Sequence, residues 1–523
     1  PREFAEADLI VVWGSNPVYT QVNLMTHISR ARKERGAKLI VIDPYRTPTA
    51  QQADVHIRPK PGTDAALACA VMHVLFRDGY ADTGYMAEFT NDAGILEAHL
   101  QSRSPDWAAD VTGIPVEVIE AFAKDYGATD RAIIRLGYGF SRSRNGASAL
   151  HAVSCLPAVR GAWKHPGAGL YGSIGQNFNI NTSLVTGIDD PGVRILDMSR
   201  LGPILTDDPE PLNGGPPVTA MLVQSSNPAV VAPESGLVRQ GLMKDEMFLC
   251  VHEQFLTDTA RLADIVLPAT TFLEHDDFYT SYGQPYLQIG PKVIEPLAET
   301  RSNHDMLGGL AKRLGADHRA FDMTAWEVMD EILQTNGYGT ADELKGKRFI
   351  EIRPTFEENH FLNGFPHPDG KFRFKANWAE LGPDHAALPD LPDFADIIDD
   401  TDEARPFRMV TAPSRNYLNT SFTETDTSIA REQRPTIVIH PADCAELGFV
   451  DGDRVRIGND RGDLVLHARP FDGVRRGVAI VEGVWPNLAF EEGIGINLLT
   501  SSDPGKPNGG AVFHDTAIWI RAA

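Results

Sequence analysis

Cysteine is scarce in this chain: four thiols, at positions 69, 155, 250 and 444, none in a C-x-x-C pair. That spacing excludes an iron–sulfur cluster or structural zinc held by this stretch alone. Scattered thiols suit burial in a reducing compartment, so a cytoplasmic protein is expected, or a periplasmic one if a signal lies upstream. No apolar run approaches the roughly 20 residues that cross a bilayer. The Walker A, G-x-S-x-G and G-x-G-x-x-G fingerprints are also missing. Gly137-x-Gly139 continues as Phe140-Ser141-Arg142, without the third glycine. An ordinary NAD dehydrogenase is thereby disfavoured. Positive charge is in deficit: 48 Lys and Arg against 71 Asp and Glu give a formal charge of -23. Such a field repels nucleic acid and anionic membranes. Any phosphate-bearing ligand must be held by backbone N–H groups and a few placed cations. An initiating Met is missing too. The chain opens at Pro1 and runs straight into a strand, which reads as a fragment of something longer.

What is there is a repeated phrase. Residues 8–13 form a short apolar run that stops at Gly14-Ser15-Asn16-Pro17. An amphipathic helix over about 20–35 follows, ending at Gly36 with a basic last turn. A second run, 38–42, ends at Asp43-Pro44. This predicts a β–turn–helix–β unit with buried, parallel strands. About two hundred residues on, residues 219–224 run into Ser225-Ser226-Asn227-Pro228, and 247–251 run into His252-Glu253. Both copies then read T-x-T-A-x-x-A-D, from Thr47 to Asp54 and from Thr257 to Asp264. The loop Ser precedes the first Thr by 32 residues in one copy (15 to 47) and by 31 in the other (226 to 257). Either loop alone would be an ordinary turn, with Asn bonding nearby backbone and Pro presetting φ. Their duplication in register predicts two related α/β units and two similar ligands.

Several residues could carry chemistry in these units. Turns of this kind set free backbone N–H groups of a helix N-terminus beside a ligand. An acid at the end of the second strand, Asp43 or Glu253, is placed to grip ribose hydroxyls or to act as a solvated cap. Asp64, in Lys60-Pro61-Gly62-Thr63-Asp64, either starts the helix over 65–76 or accepts two parallel N–H bonds from a guanine edge. A third strand around 131–139 meets Gly137-Tyr138-Gly139, another tight backbone approach. The cluster Glu274-His275-Asp276-Asp277 lacks clear metal-ligand spacing. From Arg408 onward, short apolar runs broken by Gly-Asp and Asn-Asp turns predict an all-β domain, a closed barrel.

Together these phrases resemble the molybdopterin oxidoreductases of the dimethyl sulfoxide reductase family. The resemblance rests on Gly14-Ser15-Asn16-Pro17, Asp43-Pro44, Pro61-Gly62-Thr63-Asp64, Gly137-x-Gly139 with Asn145-Gly146, Ser226-Asn227-Pro228 and Thr257 through Ala269. In the C-terminal part it rests on Arg415 to Thr420, Asp451-Gly452-Asp453, Asn459 to Gly462 and Asn508-Gly509-Gly510. It implies two related Rossmann-like α/β domains with parallel sheets plus a C-terminal β-barrel of double-psi type. The implied boundaries are 1–128 with 313–400, 129–312, and 405–523. It implies a bis-molybdopterin guanine dinucleotide cofactor with Mo or W. The first dinucleotide would be held by Gly14, Ser15, Asn16, Asp43, Gly62, Asp64, Gly137 and Gly139. The second would be held by Ser226, Asn227, His252, Glu253, Thr257 and Asp258, with Arg415 and Asn508 from the barrel closing over both.

The resemblance places the protein ligand to the metal, and any [4Fe-4S] cluster, upstream of Pro1, so this stretch alone should be inactive. Lys164, where a glycine is common in that family, His165 and Arg142 are the candidate catalytic side chains, with plain surface placement an alternative for the first two. The expected activity is oxygen-atom transfer or two-electron oxidation or reduction of a small substrate, with an electron-transfer protein or subunit as partner. A catalytically silent subunit of a larger redox complex, and a hydride-transfer module with two nucleotides, are the rival readings.

Overall fold

A computed structural model describes residues 1–173, 175–186 and 192–523. The first unit is a five-stranded parallel sheet. Its strands are β1 (Leu9–Trp13), β2 (Lys38–Ile42), β3 (Val55–Ile57), β4 (Ala132–Leu136) and β5 (Gly169–Tyr171), in the order β3-β2-β1-β4-β5. Helix α1 (Pro17–Thr20) and helix α2 (Val22–Arg35) link β1 to β2. Gly36 stops α2 in the left-handed region, φ 69°, where a residue without Cβ is unstrained. β1, β4 and nearly all of β2 are buried on both faces, as continuous apolar runs require. Helix α3 (Asp64–Arg77) and helix α4 (Gly146–Arg160) cover one face. Their contacting sides are rich in Ala, Cys and Val, small enough for close approach.

The expected boundary at 128/129 falls inside this sheet. β4 pairs with β1 over its whole length, Leu9 opposite Ala132 through Trp13 opposite Leu136, and β5 pairs with β4. Backbone ladders, not sequence distance from the first repeat, decide membership. Further along, Phe365 and Phe374 join the same core, and the Cys69 thiol donates to Pro392 O at 3.2 Å.

The second unit is smaller: β6 (Ala220–Gln224), β7 (Phe248–Glu253) and β8 (Ile265–Pro268), parallel and in that order. Helix α5 (Pro228–Val231) and helix α6 (Ser235–Leu242) pack on one face through Ala229, Val238 and Leu242 against Leu249 and Val251. Leu222, Phe248, Ile265 and Val266 on the strands remain exposed. The apolar runs here predicted strands buried on both faces; helices cover one face only.

The C-terminal unit is a closed six-stranded barrel. It comprises β9 (Phe407–Ala412), β10 (Thr436–Ile439), β11 (Arg454–Asn459), β12 (Gly462–Pro470), β13 (Val478–Glu482) and β14 (Thr516–Ala522), in the order β9-β13-β10-β12-β11-β14. Two pairs, β9 with β13 and β10 with β12, are parallel in an otherwise antiparallel ring. Alternate residues such as Met409, Ile437, Ile439, Val455 and Ile457 fill the interior.

Candidate functional site

Ligands of parallel α/β sheets sit beyond the carboxyl ends of the strands, where strand order reverses. In the first unit that point lies between β1 and β4. Gly14 leaves β1 with φ 61°, its N–H donating to Ile42 O at 2.9 Å. Gly137 and Gly139 leave β4 against the same loop. A Cβ on Gly137 would stand 1.9 Å from Gly14 O, and Gly139 N–H donates to Gly14 O at 3.2 Å. These two glycines, predicted as cofactor-binding, shape the crevice by letting two loops touch.

The S-N-P loops are duplicates down to single bonds. Asn16 Oδ1 accepts from Thr49 Oγ1 at 2.7 Å, and Asn227 Oδ1 accepts from Thr259 Oγ1 at 2.7 Å. Each threonine oxygen then accepts a helix N–H, from Val18 at 3.1 Å and from Ala229 at 3.0 Å. Thr47 and Thr257 accept from the N–H of Ala50 and Ala260. Asp54 and Asp264 each accept a 2.7 Å bond from the start of the second strand, at Leu39 and Leu249. The T-x-T-A-x-x-A-D phrase is thus a brace that holds each loop open. Asn16, Asn227 and Thr257 were expected to bind cofactor; their oxygens are committed to this brace. Sequence reasoning passed over Thr49 and Thr259, though the repeat contained both. Ser15 and Glu253 lie half-buried, Asp258 likewise, and Ser226 is exposed.

Acids gather at the first crevice. Asp43 is buried at the end of β2 and accepts one long bond, from Tyr45 N–H at 3.4 Å. Asp64 begins α3 and accepts from Trp13 Nε1 at 2.7 Å. Neither carboxylate has a salt-bridge partner among the described residues. Gly62, φ 83°, offers its carbonyl to Asn145 Nδ2 at 2.8 Å. Burial pushes the Asp43 carboxyl up to about 8, the charge of Asp64 adding to it. Burial raises Asp64 as well, against the Trp13 bond.

A carboxyl whose folded pKa lies above its unfolded value near 3.9 stabilises the fold below about pH 4, and that stability is lost as pH rises through about 8. The cofactor-free protein should therefore melt at falling temperature across this window. Asp43→Asn should flatten the decline. Parallel melts that show the same slope for both proteins would contradict a buried, unpaired acid.

Arg142 stands half-buried beside this crevice with its guanidinium 5.3 Å over the Phe513 ring. Among the described residues its guanidinium has no acid or hydrogen-bond partner. Burial lowers its pKa. His514, whose backbone N–H donates to Arg142 O at 2.9 Å, is pushed down to about 4 by burial and by that arginine. Lys164 and His165 are elsewhere. Both precede β5 and lie at the amino-terminal edge of the sheet. Lys164 is exposed and ion-paired with Asp82, and His165 lines a shallow surface hollow with Asp8 and Arg131. They do not face the crevice.

The barrel closes on both units. Arg415 donates to Val18 O at 2.7 Å and lies 5.5 Å over the Tyr19 ring. These contacts tie it to α1. Asn487 donates to Ala229 O at 3.1 Å and Asn497 to Val230 O at 2.8 Å. Asn508 is exposed in the loop that abuts Gly382. In the seam, fully buried Asp515 joins Arg144 (2.7 Å) to Arg408 (2.6 Å) and accepts from Asp399 N–H at 2.7 Å. Nothing in the sequence pattern singled out this cluster.

Two braced loops, each beside a strand-end acid and both under one barrel, define a protein built around a paired dinucleotide. Comparison with known proteins agrees. The family described as molybdopterin oxidoreductase matches residues 2–313, and the molydopterin dinucleotide binding domain matches residues 407–517. The probable oxidoreductase YoaE of Bacillus subtilis is 34% identical over 99% of this chain and 75% of its own length. The dimethyl sulfoxide/trimethylamine N-oxide reductase of Rhodobacter capsulatus is 27% identical over 91% of the chain and 66% of its own. Acetylene hydratase from Pelobacter acetylenicus shares the fold at TM-score 0.82 and 19% identity, over 99% of this chain and 78% of that one. The chain belongs to the molybdopterin oxidoreductase family, in its dimethyl sulfoxide reductase branch, and is a molybdopterin-dependent oxidoreductase with a bis-molybdopterin guanine dinucleotide holding Mo or W.

The residues present fit that group. Asp43 is a buried acceptor with only one long bond, Asp64 is a half-buried one set by Trp13 without a cation, Arg142 is a desolvated cation awaiting an anion, and His252 is fully buried with both ring nitrogens unpaired. Among the described residues no group of three or more His, Cys, Asp or Glu could hold a metal ion, and no helix is long and apolar enough to cross a membrane.

Proposed function

We propose that this oxidoreductase acts on a small substrate by oxygen-atom transfer or by two-electron oxidation or reduction. The observation that carries it is the pair of braced loops, each with an acid at its strand end, under one barrel. An empty scaffold gains nothing from burying Asp43 with only one long bond, since a poorly met buried acid costs stability. In this reading Gly14, Ser15 and Gly62 line the first dinucleotide, Asp43 holds its ribose, and Asp64 the guanine edge. Arg142 neutralises its phosphates. Ser226, Glu253 and Asp258 serve the second. The relative from Rhodobacter capsulatus, named for dimethyl sulfoxide and trimethylamine N-oxide, favours oxides as first substrates to try. When bound, the metal–pterin group supplies the two-electron chemistry. The chain's own residues orient it and keep water from its nucleotide ends. Electrons would pass through a separate protein or subunit.

The test is direct. Holoprotein should release guanine nucleotide on acid treatment, contain Mo or W by elemental mass spectrometry, and oxidise a reduced viologen when given an S- or N-oxide. Protein from the same cells with neither metal nor nucleotide would instead support a silent structural subunit. Consumption of NADH without metal would support hydride chemistry.

A further inference from the structure

Three arginines are buried among the described residues: Arg135, Arg144 and Arg408. Arg144 and Arg408 share the carboxylate of Asp515. Arg135, 3% exposed, has no acid beside it. Acids are not scarce in this chain, at 71 against 48 Lys and Arg. A guanidinium taken out of water needs a compensating negative charge or a full set of hydrogen bonds. Carbonyl groups meet part of that need here, and no negative charge meets the rest.

Arg135 stands on β4 two residues before Gly137, between Val12 of β1 and Tyr171 of β5. Its head group is held in place. Nε donates to Gln21 Oε1 at 3.0 Å, and Nη1 donates to Gly172 O at 2.7 Å, to Tyr171 O at 3.4 Å and to Leu136 O. The guanidinium lies 5.1 Å over the Tyr171 ring. Nη2 alone has no partner among the described residues, and it stays open to solvent. Gln21 precedes the first turn of α2 and makes no cap bond to it. That helix start therefore keeps free N–H groups at the positive end of its dipole. A lone cation beside a helix start is repelled, whereas an anion between the two is held by both. Gly172 and Ser173, where β5 ends, are exposed and leave this mouth open. The bonds of Arg135 run toward β5, away from the gap between β1 and β4 where the first cradle lies.

We infer that Arg135 is a specificity-determining residue: with the start of α2 it takes the negative charge of a small carboxylate or oxoanion substrate, so that the enzyme selects anions over neutral oxides. The overall field of the chain repels such a substrate, so a fixed local cation has to hold it. This narrows the oxidoreductase reading above and rests on it, and the experiment separates the two.

Wild type, Arg135→Met and Arg135→Lys are purified as holoproteins and titrated calorimetrically with acetate, with sulfate and with neutral dimethyl sulfone. Wild type should bind at least one anion about tenfold or more tighter than the sulfone. Arg135→Met should lose that preference. Arg135→Lys, which keeps the charge without the planar fork, should bind the anion more weakly than wild type. The bound anion should also compete with whichever substrate the loaded enzyme reduces, raising KM and leaving kcat unchanged. An arginine that only ties strand ends together gives a wild type without preference and an Arg135→Met protein that merely melts lower. No preference in wild type, an unchanged anion affinity in either variant, or binding without competition overturns the inference. So does a loss of guanine nucleotide from Arg135→Met with anion binding intact, which would give the guanidinium to a cofactor phosphate. A wild type that reduces nothing or releases no nucleotide fails the oxidoreductase reading instead, and the titrations still judge the anion site.

Discussion

Replacing Asp64 by alanine should empty the first cradle: nucleotide released from the purified holoprotein drops toward half, and turnover falls with it. The carboxylate is half-buried, is set by Trp13 Nε1 on one oxygen, and has no ion-pair partner among the described residues. A charge-assisted bond of the kind a guanine edge donates is worth about 1.5–3 kcal/mol. Losing a bidentate pair therefore weakens binding by about 100-fold or more. Asp64→Asn separates the alternatives. It still accepts from Trp13, so the helix start survives, yet it presents an amide where the guanine needs a second acceptor. Reduced nucleotide in both variants, with wild-type melting of the cofactor-free Asn form, supports the assignment. Wild-type nucleotide content in Asp64→Ala protein would end it and leave Asp64 a helix-start residue.

The second large effect concerns stability. Asp515→Ala should cost about 3–5 kcal/mol, because it strands the buried guanidinium of Arg408, while Arg144 keeps its second partner, Asp503, at 2.8 Å. Burial opposes ionisation of Asp515, but the charges of Arg408 and Arg144 outweigh it and hold the carboxyl below its usual range. A depressed pKa contributes stability above the unfolded carboxyl value and loses it as pH falls through the folded one. The seam should thus be intact at neutral pH and open only in acid, below about pH 4. Urea unfolding of wild type, Asp515→Ala and the doubly apolar Asp515→Leu/Arg408→Met checks this. Recovery in the double variant marks the loss as stranded charge. An Ala variant within 1 kcal/mol of wild type would mean the arginines find other partners.

Much of the fold could be read from the chain because backbone patterns repeat. The apolar runs at 8–13, 38–42 and 131–136 lie in the first sheet, and the runs from Arg408 onward became barrel strands. The sixth barrel strand, Thr516–Ala522, escaped notice because no second run follows it to mark a turn. The placement of the acids was legible: Asp43 follows the second strand and Asp64 begins a helix, as the spacing predicted. The site was illegible where the same residue serves either ligand or scaffold. Asn16 and Thr257 brace the loop through bonds that only the folded chain shows. Lys164 and His165 failed for a geometric reason, since they precede a strand and so sit at the wrong end of it. Asp515 was invisible because its partners lie more than a hundred and up to 371 positions away.

Val18 O and Ala229 O hold the same rank in the duplicated loops, and barrel side chains fasten to both, Arg415 to one and Asn487 to the other. One barrel thus couples the two rims, and a substitution that loosens either bond acts on a surface that both halves share.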